Sequence, residues 1–208
     1  MVVTSYLTLA RDGEAELEIK RSRFLCVLRR VESEAAARAV VEEQRRVHWD
    51  ARHHCSAFVL GPDGALQRSS DDGEPSGTAG APMLQVLRGR EVSDAVAVVT
   101  RWFGGVLLGA GGLVRAYGDA VGAALDEVGT RERRLLGEWL LELDHADAGR
   151  VESELRARGV EVLDVEYAAH VRLLLGTGDA AGLARTVAEL TAGRAEPVSV
   201  GERWVDLG

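Results

Sequence analysis

The sequence predicts an α+β protein of two domains, and three observations carry the prediction. Over the first 128 residues strand-like and helix-like segments run β-β-α-β-β-α-β-α, so strands come in neighbouring pairs with helices laid against them. Residues 135–200 then read β-α-β-β-α-β. Their two helical segments, DAGRVESELRARG and DAAGLARTVAELTAG, resemble each other, which is the ferredoxin-like split unit. Between the two parts lies a polar run, TRERR at 130–134, expected to be a linker. The expected domains are residues 1–130 and 135–208.

Ala15, Leu17 and Ile19 alternate with charges and mark a half-buried strand, and 24–31 reads as its partner. Ser33 is placed to cap a helix running to about Val47, with Ala37, Val40 and Val41 inward. His48, Trp49, His53, His54 and Cys55 cluster without zinc spacing. They are read as the polar mouth of a strand over 54–60. Gly61-Pro62-Asp63-Gly64 is a turn by residue type, joining a second strand at 65–68. Residues 70–82, SDDGEPSGTAGAP, are too polar and broken for regular structure, and Pro82 is expected to open a short helix that Gly89 ends. A strand at 96–100 leads into five glycines, Gly104, Gly105, Gly109, Gly111 and Gly112. A long helix follows, with Leu113, Tyr117, Val121, Ala124 and Val128 on one face.

Two glycine-bearing loops thus each feed a helix N-terminus, an arrangement that aims backbone N–H groups at a point and suits an anion. In the first loop Ser76 and Thr78 add hydroxyls, and Asp71, Asp72 and Glu74 add carboxylates suited to a divalent cation or to acid–base work. Neither loop carries the Gly-Lys-Ser/Thr of a Walker loop. Val114 stands where a dinucleotide fingerprint needs its third glycine, and GxSxG is absent.

Composition narrows the class. The 208 residues are 46% hydrophobic, and no run of about 18 apolar residues exists to span a membrane. The first residues show no signal peptide pattern, and two cysteines make no disulfide framework, so a cytoplasmic location is expected. Net charge is −8, concentrated in the second domain, so no broad basic footprint drives nucleic-acid binding; any RNA contact is local. Against many arginines Lys20 is the single lysine.

EIKRSRF (18–24), HHCSAFVLG (53–61), SDDGEPSGTAGAPML (70–84) and TRWFGGVLLGAGGLVRAY (100–117) resemble, in order and spacing, the signature blocks of the IMPACT/YigZ family. The resemblance covers residues 15–128 strongly, and the last third is similar to the small domain that bacterial members carry. It implies a first domain like the second domain of ribosomal protein S-five, a sheet with helices on one side and a left-handed crossover. It also implies a ferredoxin-like second domain, the two folds paired as in elongation factor G. Eukaryotic members are linked to translational control through protein binding.

The expected function is therefore a cytoplasmic binding protein regulating translation, whose partner is RNA, the ribosome or a translation factor. Lys20, Ser22, Arg23, His54, Arg101, Phe103 and Arg115 are its expected side-chain contacts. Asp71, Asp72, Gly73, Glu74, Ser76, Gly77, Thr78, Gly104, Gly105, Gly111 and Gly112 form the expected cleft, floored by amides, edged by guanidinium and able to hold a small anion. No cofactor, metal or catalytic residue is expected. The alternative is a phosphate- or metal-dependent enzyme acting on a small molecule or nucleic acid through the 70–82 loop.

Overall fold

The computed structural model describes residues 3–207. Along them run β1 (Ser5–Leu9), β2 (Gly13–Ile19), β3 (Ser22–Arg30), α1 (Glu34–Val47), β4 (His53–Leu60), β5 (Leu66–Ser70), α2 (Gly80–Gly89), β6 (Ala95–Trp102), α3 (Ala110–Val128), β7 (Thr130–Leu143), α4 (His145–Ala157), β8 (Glu161–Tyr167), β9 (Val171–Thr177), α5 (Ala180–Thr191) and β10 (Val198–Asp206). The protein is mixed α/β, with two sheets whose described pairings are antiparallel. The chain divides into two units. Unit 1 runs to Arg133 and takes back the chain end from Asp206, and unit 2 is Arg134–Val205.

The sheet of unit 1 has the order β2-β3-β6-β4-β5. Its centre is apolar on both faces. Ala95, Ala97 and Val99 of β6 pack with Cys55, Ala57 and Val59 of β4 under α2 and α3. Val96 and Val98, with Phe58 and Leu60, pack under Ala37, Val40 and Val41 of α1. This corrects the expectation of helices on one side only. A strand reading AVAVV has no polar face to give to water, so both faces must be covered. Ser33 caps α1 as its position predicts, its hydroxyl accepting from Ala36 N at 3.2 Å.

Two further elements differ from expectation. β1 was not foreseen, and residues 130–134 are no linker but the start of β7. The two facts are linked. β7 begins in unit 1, where β1 pairs with it, and its charges are neutralised there. Arg133 meets Glu32 at 2.7 Å and Asp94 at 3.4 Å, and Arg131 meets Asp206 at 3.6 Å. Helix α2 starts at Gly80, two residues before the proline expected to open it. Pro82 still lies in the first turn, where its missing N–H costs no helical bond.

In unit 2 the strands order β10-β7-β9-β8, with α4 and α5 contributing Val151, Leu155, Leu183 and Val187 to a core completed by Leu141, Leu143, Leu173 and Leu175. Its last strand starts at Val198, three residues later than expected.

Candidate functional site

β2 and β3 pair from Gly13↔Leu28 to Ile19↔Ser22, which leaves Lys20 and Arg21 as a two-residue hairpin tip. Both take positive φ, +48° and +66°. That turn geometry matches the strand twist but favours Asn-Gly, and each non-glycine residue in it carries strain of about 1 kcal/mol or more. The tip is braced by the second glycine loop. Gly104 lies so close to Arg21 that a Cβ there would overlap the Arg21 carbonyl group. Ser22, fully buried, accepts from Gly104 N at 3.2 Å and from Arg101 Nη2 at 3.4 Å.

Arg101, near the end of β6, is 6% exposed. Its Nη1 donates to Glu74 Oε1 at 2.6 Å, and Tyr117 on α3 donates its hydroxyl to the same oxygen at 2.7 Å. Phe24 and Phe103 flank the guanidinium, their ring centres 5.4 and 5.7 Å from its carbon. Behind them the Cys55 thiol lies 3.0 Å from the Asp71 carbonyl and 3.4 Å from the Tyr117 hydroxyl. Burial pushes the Cys55 thiol up to about 12, and burial together with Cys55 and Glu74 pushes the Tyr117 hydroxyl well above its ordinary value. Both groups therefore stay protonated and act as donors. An inert thiol of this kind is no nucleophile.

The carboxylates of the first loop are all engaged. Asp71 Oδ1 accepts from Ala79 N (3.0 Å) and Gly80 N (2.8 Å), and its Oδ2 from Gly77 N (2.8 Å). It therefore caps α2 from eight residues upstream, where the N-cap residue Ala79 has no side chain to do so. Burial raises the Asp71 carboxyl, but the three amides outweigh it and hold the group below the usual range. Asp72 bonds Arg45 and the His54 amide, both at 2.6 Å, while its carbonyl accepts from His53 Nδ1 at 2.9 Å. The His54 ring is buried, with Nε2 donating to the His48 carbonyl at 3.2 Å. Desolvation keeps it neutral, below its ordinary pKa. Thr78 Oγ1 donates to the Pro75 carbonyl at 2.6 Å, and Gly73 and Gly77 sit at φ +84° and +76°. Ser76 is exposed.

The two glycine loops meet. Between Glu74-Pro75 and residues 103–113 lies a cleft of about 360 Å³, lined also by Arg52, His53 and Arg101. Its walls are Pro75, Phe103, Leu107, Leu108 and Leu113, with Phe103 53% and Leu107 82% exposed. This corrects the expected amide-floored anion cradle. The walls are apolar, and the Arg101 guanidinium is already paired. Gly104 serves packing, Gly105 turns the loop at φ +83°, and Gly111 and Gly112 are inside α3. Arg115 is not brought to the cleft; it lines a separate groove between α2 and α3. Arg23 stacks its guanidinium 3.7 Å over Trp102, whose indole N–H donates to Asp50 at 2.8 Å.

Sequence reasoning missed Arg52, His53 and Leu107 at the cleft and the exposed Trp49 nearby in the chain. The only signal was the aromatic and histidine cluster itself, read as the mouth of a strand. Among the described residues Lys20, Arg21 and Arg52 have no ion pair, and no group of three or more His, Cys, Asp or Glu is placed to hold a metal ion. No helix is long and apolar enough to cross a membrane.

Comparison with known proteins agrees with the sequence blocks. Residues 20–125 match the Impact N-terminal domain, and 141–194 match the Domain of unknown function (DUF1949). The chain is 45% identical over 167 residues to IMPACT family member YvyE of Bacillus subtilis, covering 80% of this chain and 77% of that one. It is 40% identical over 202 residues to IMPACT family member YigZ of Escherichia coli, covering 95% and 99%. Protein IMPACT-B of Xenopus tropicalis matches at 32% over 109 residues, half of this chain and 33% of that one. A crystal structure described as that of a hypothetical protein aligns at 37% identity with a TM-score of 0.64, covering 96% and 98%. With matched blocks, matched domains and relatives aligned over most of its length, the chain belongs to the IMPACT family.

Proposed function

We propose that the protein is a cytoplasmic binding protein acting on translation, and that it engages RNA, the ribosome or a translation factor through the hairpin tip and cleft of unit 1. One observation carries this reading. Lys20, Arg21 and Arg52 stand without ion pairs beside half-exposed Phe103 and exposed Leu107, in a chain of net charge −8 that pairs most of its other arginines. Unpaired cations and exposed apolar side chains share one end of the sheet, and that combination suits a partner surface. The family's link to translational control in eukaryotes supports the same reading. An enzyme working from the 70–82 loop needs a free carboxylate, whereas Asp71, Asp72 and Glu74 are each spent on structural bonds.

At the level of fold we read unit 2, from its order β10-β7-β9-β8, as ferredoxin-like. Unit 1 we read as the ribosomal protein S-five arrangement with α1 added on the second face. Co-sedimentation with ribosomes at low salt, run beside RNA gel retardation, tests the function. Association in either assay, weakened by Lys20→Glu/Arg21→Glu, is expected, and no association in both removes the reading.

A further inference from the structure

The cleft and the cations at its mouth make different demands on a ligand, and few ligand classes meet both. The walls ask for a flat or apolar body. Arg52 lines the cleft, and Lys20 and Arg21 form the hairpin tip packed on Gly104 next to Phe103; none of the three has a carboxylate partner, so this end of the sheet asks for negative charge. Phe103, 53% exposed, stands in the cleft wall with the Arg101 guanidinium behind it, while the Arg23–Trp102 stack lies on the opposite face of the sheet, because neighbouring residues of β6 alternate. One exposed ring in an apolar cleft beside unpaired cations suits single-stranded nucleic acid, a base of which stacks on the ring while its phosphates meet the cations. The edge strand β2 turns Glu14, Glu16 and Glu18 to solvent, so an anionic chain is repelled along that edge and admitted only at the hairpin tip. An acidic peptide meets the charge demand, but its carboxylate side chains bring no flat body to rest on Phe103 between the apolar walls.

We propose that the cleft between residues 74–75 and 103–113 receives one unstacked base of single-stranded RNA, resting on Phe103, with the flanking phosphates on Lys20, Arg21 and Arg52. This rests on the translation-binding reading above and narrows it to one ligand class. At about 360 Å³ the cleft is at the small end of ligand-pocket sizes, suited to one base with its sugar. The walls are chiefly Pro75, Phe103, Leu107, Leu108 and Leu113, and the Glu74 carboxylate and Arg101 guanidinium are already paired at 2.6 Å. The site therefore accepts any base and sets position along the strand, not sequence.

Fluorescence anisotropy of the full chain with a labelled oligouridylate, and with the matching oligomer stripped of its bases, tests this. Phe103→Ala is expected to weaken oligouridylate binding by about tenfold, within the range of one base–aromatic stack, without changing the salt dependence. Lys20→Ala/Arg21→Ala is expected to shallow the salt dependence. The base-free oligomer is expected to bind wild type and Phe103→Ala alike. Circular dichroism confirms that the variants fold, since each change lies on exposed side chains. Equal binding of oligouridylate to wild type and Phe103→Ala would overturn the base-in-cleft assignment and leave the wider reading standing. So would ribosome association without any oligomer binding. Binding of polyglutamate in place of RNA would overturn it in favour of an acidic protein partner.

Discussion

Gly104→Ala is the sharpest test of whether the cleft face is prearranged. A Cβ at this position would overlap the Arg21 carbonyl carbon and oxygen and lie 2.5 Å from the Ser22 nitrogen. All three atoms are backbone, and they belong to a hairpin tip already held at positive φ, so no side chain can swing aside. The loop and hairpin must part. Forced overpacking costs about 1–3 kcal/mol. Losing the Gly104 N to Ser22 Oγ bond adds about 1 kcal/mol. The expected destabilisation is about 2–4 kcal/mol. Two neighbours in the same motif give the contrast. Gly105→Ala meets open space but keeps φ +83°, so it loses only about 1–2 kcal/mol. Gly111 is helical, with nothing within 4 Å of a new Cβ, so Gly111→Ala gains about 0.5–1 kcal/mol. Urea unfolding followed by tryptophan fluorescence reads all three, with Trp102 reporting beside the loop. A Gly104→Ala protein as stable as wild type, or three variants shifted alike, would refute the packing of hairpin on loop and with it the prearranged face.

Three other perturbations bear on the support beneath the cleft. Glu74→Leu alone strands the Arg101 charge in the interior and should cost about 3–5 kcal/mol, whereas Glu74→Leu/Arg101→Met should recover most of that; a double-mutant cycle by urea unfolding measures both. Asp71→Asn offers one acceptor oxygen where three amides wait, so it should cost about 1–2 kcal/mol at neutral pH. Because the folded Asp71 carboxyl lies below its unfolded value of about 3.9, the wild-type advantage is present above that pH and lost as pH falls through the folded value; stability curves of the two proteins should converge in acid. His54 is held neutral by burial, so its contribution is present above the unfolded value of about 6.5 and declines as pH falls below it. His54→Gln should flatten the stability profile between about pH 7 and 5 in chemical denaturation.

What the sequence makes legible is local, and the residues show where locality ends. The helix at 34–47 is written in Ser33 and the inward Ala37-Val40-Val41, and the hairpin tip lies between two alternating strands. Even the two-sided sheet is written in AVAVV, a run with no polar face. β1 escaped because its five residues carry no alternation strong enough to stand without the partner that β7 supplies. The same gap governs the site. Charge is countable in sequence, but whether a charge is free depends on what folds beside it. Arg101 looked like a ligand-binding cation until Glu74, 27 residues away, arrived in the fold to neutralise it. Asp71 looked like a metal ligand until the amides at 77, 79 and 80 closed on it. Lys20 passed the other way: its sequence neighbours Glu16 and Glu18 offered partners, yet the tight turn holds it clear of both. A count of basic residues therefore says little about a binding face until folding has shown which of them keep a carboxylate partner.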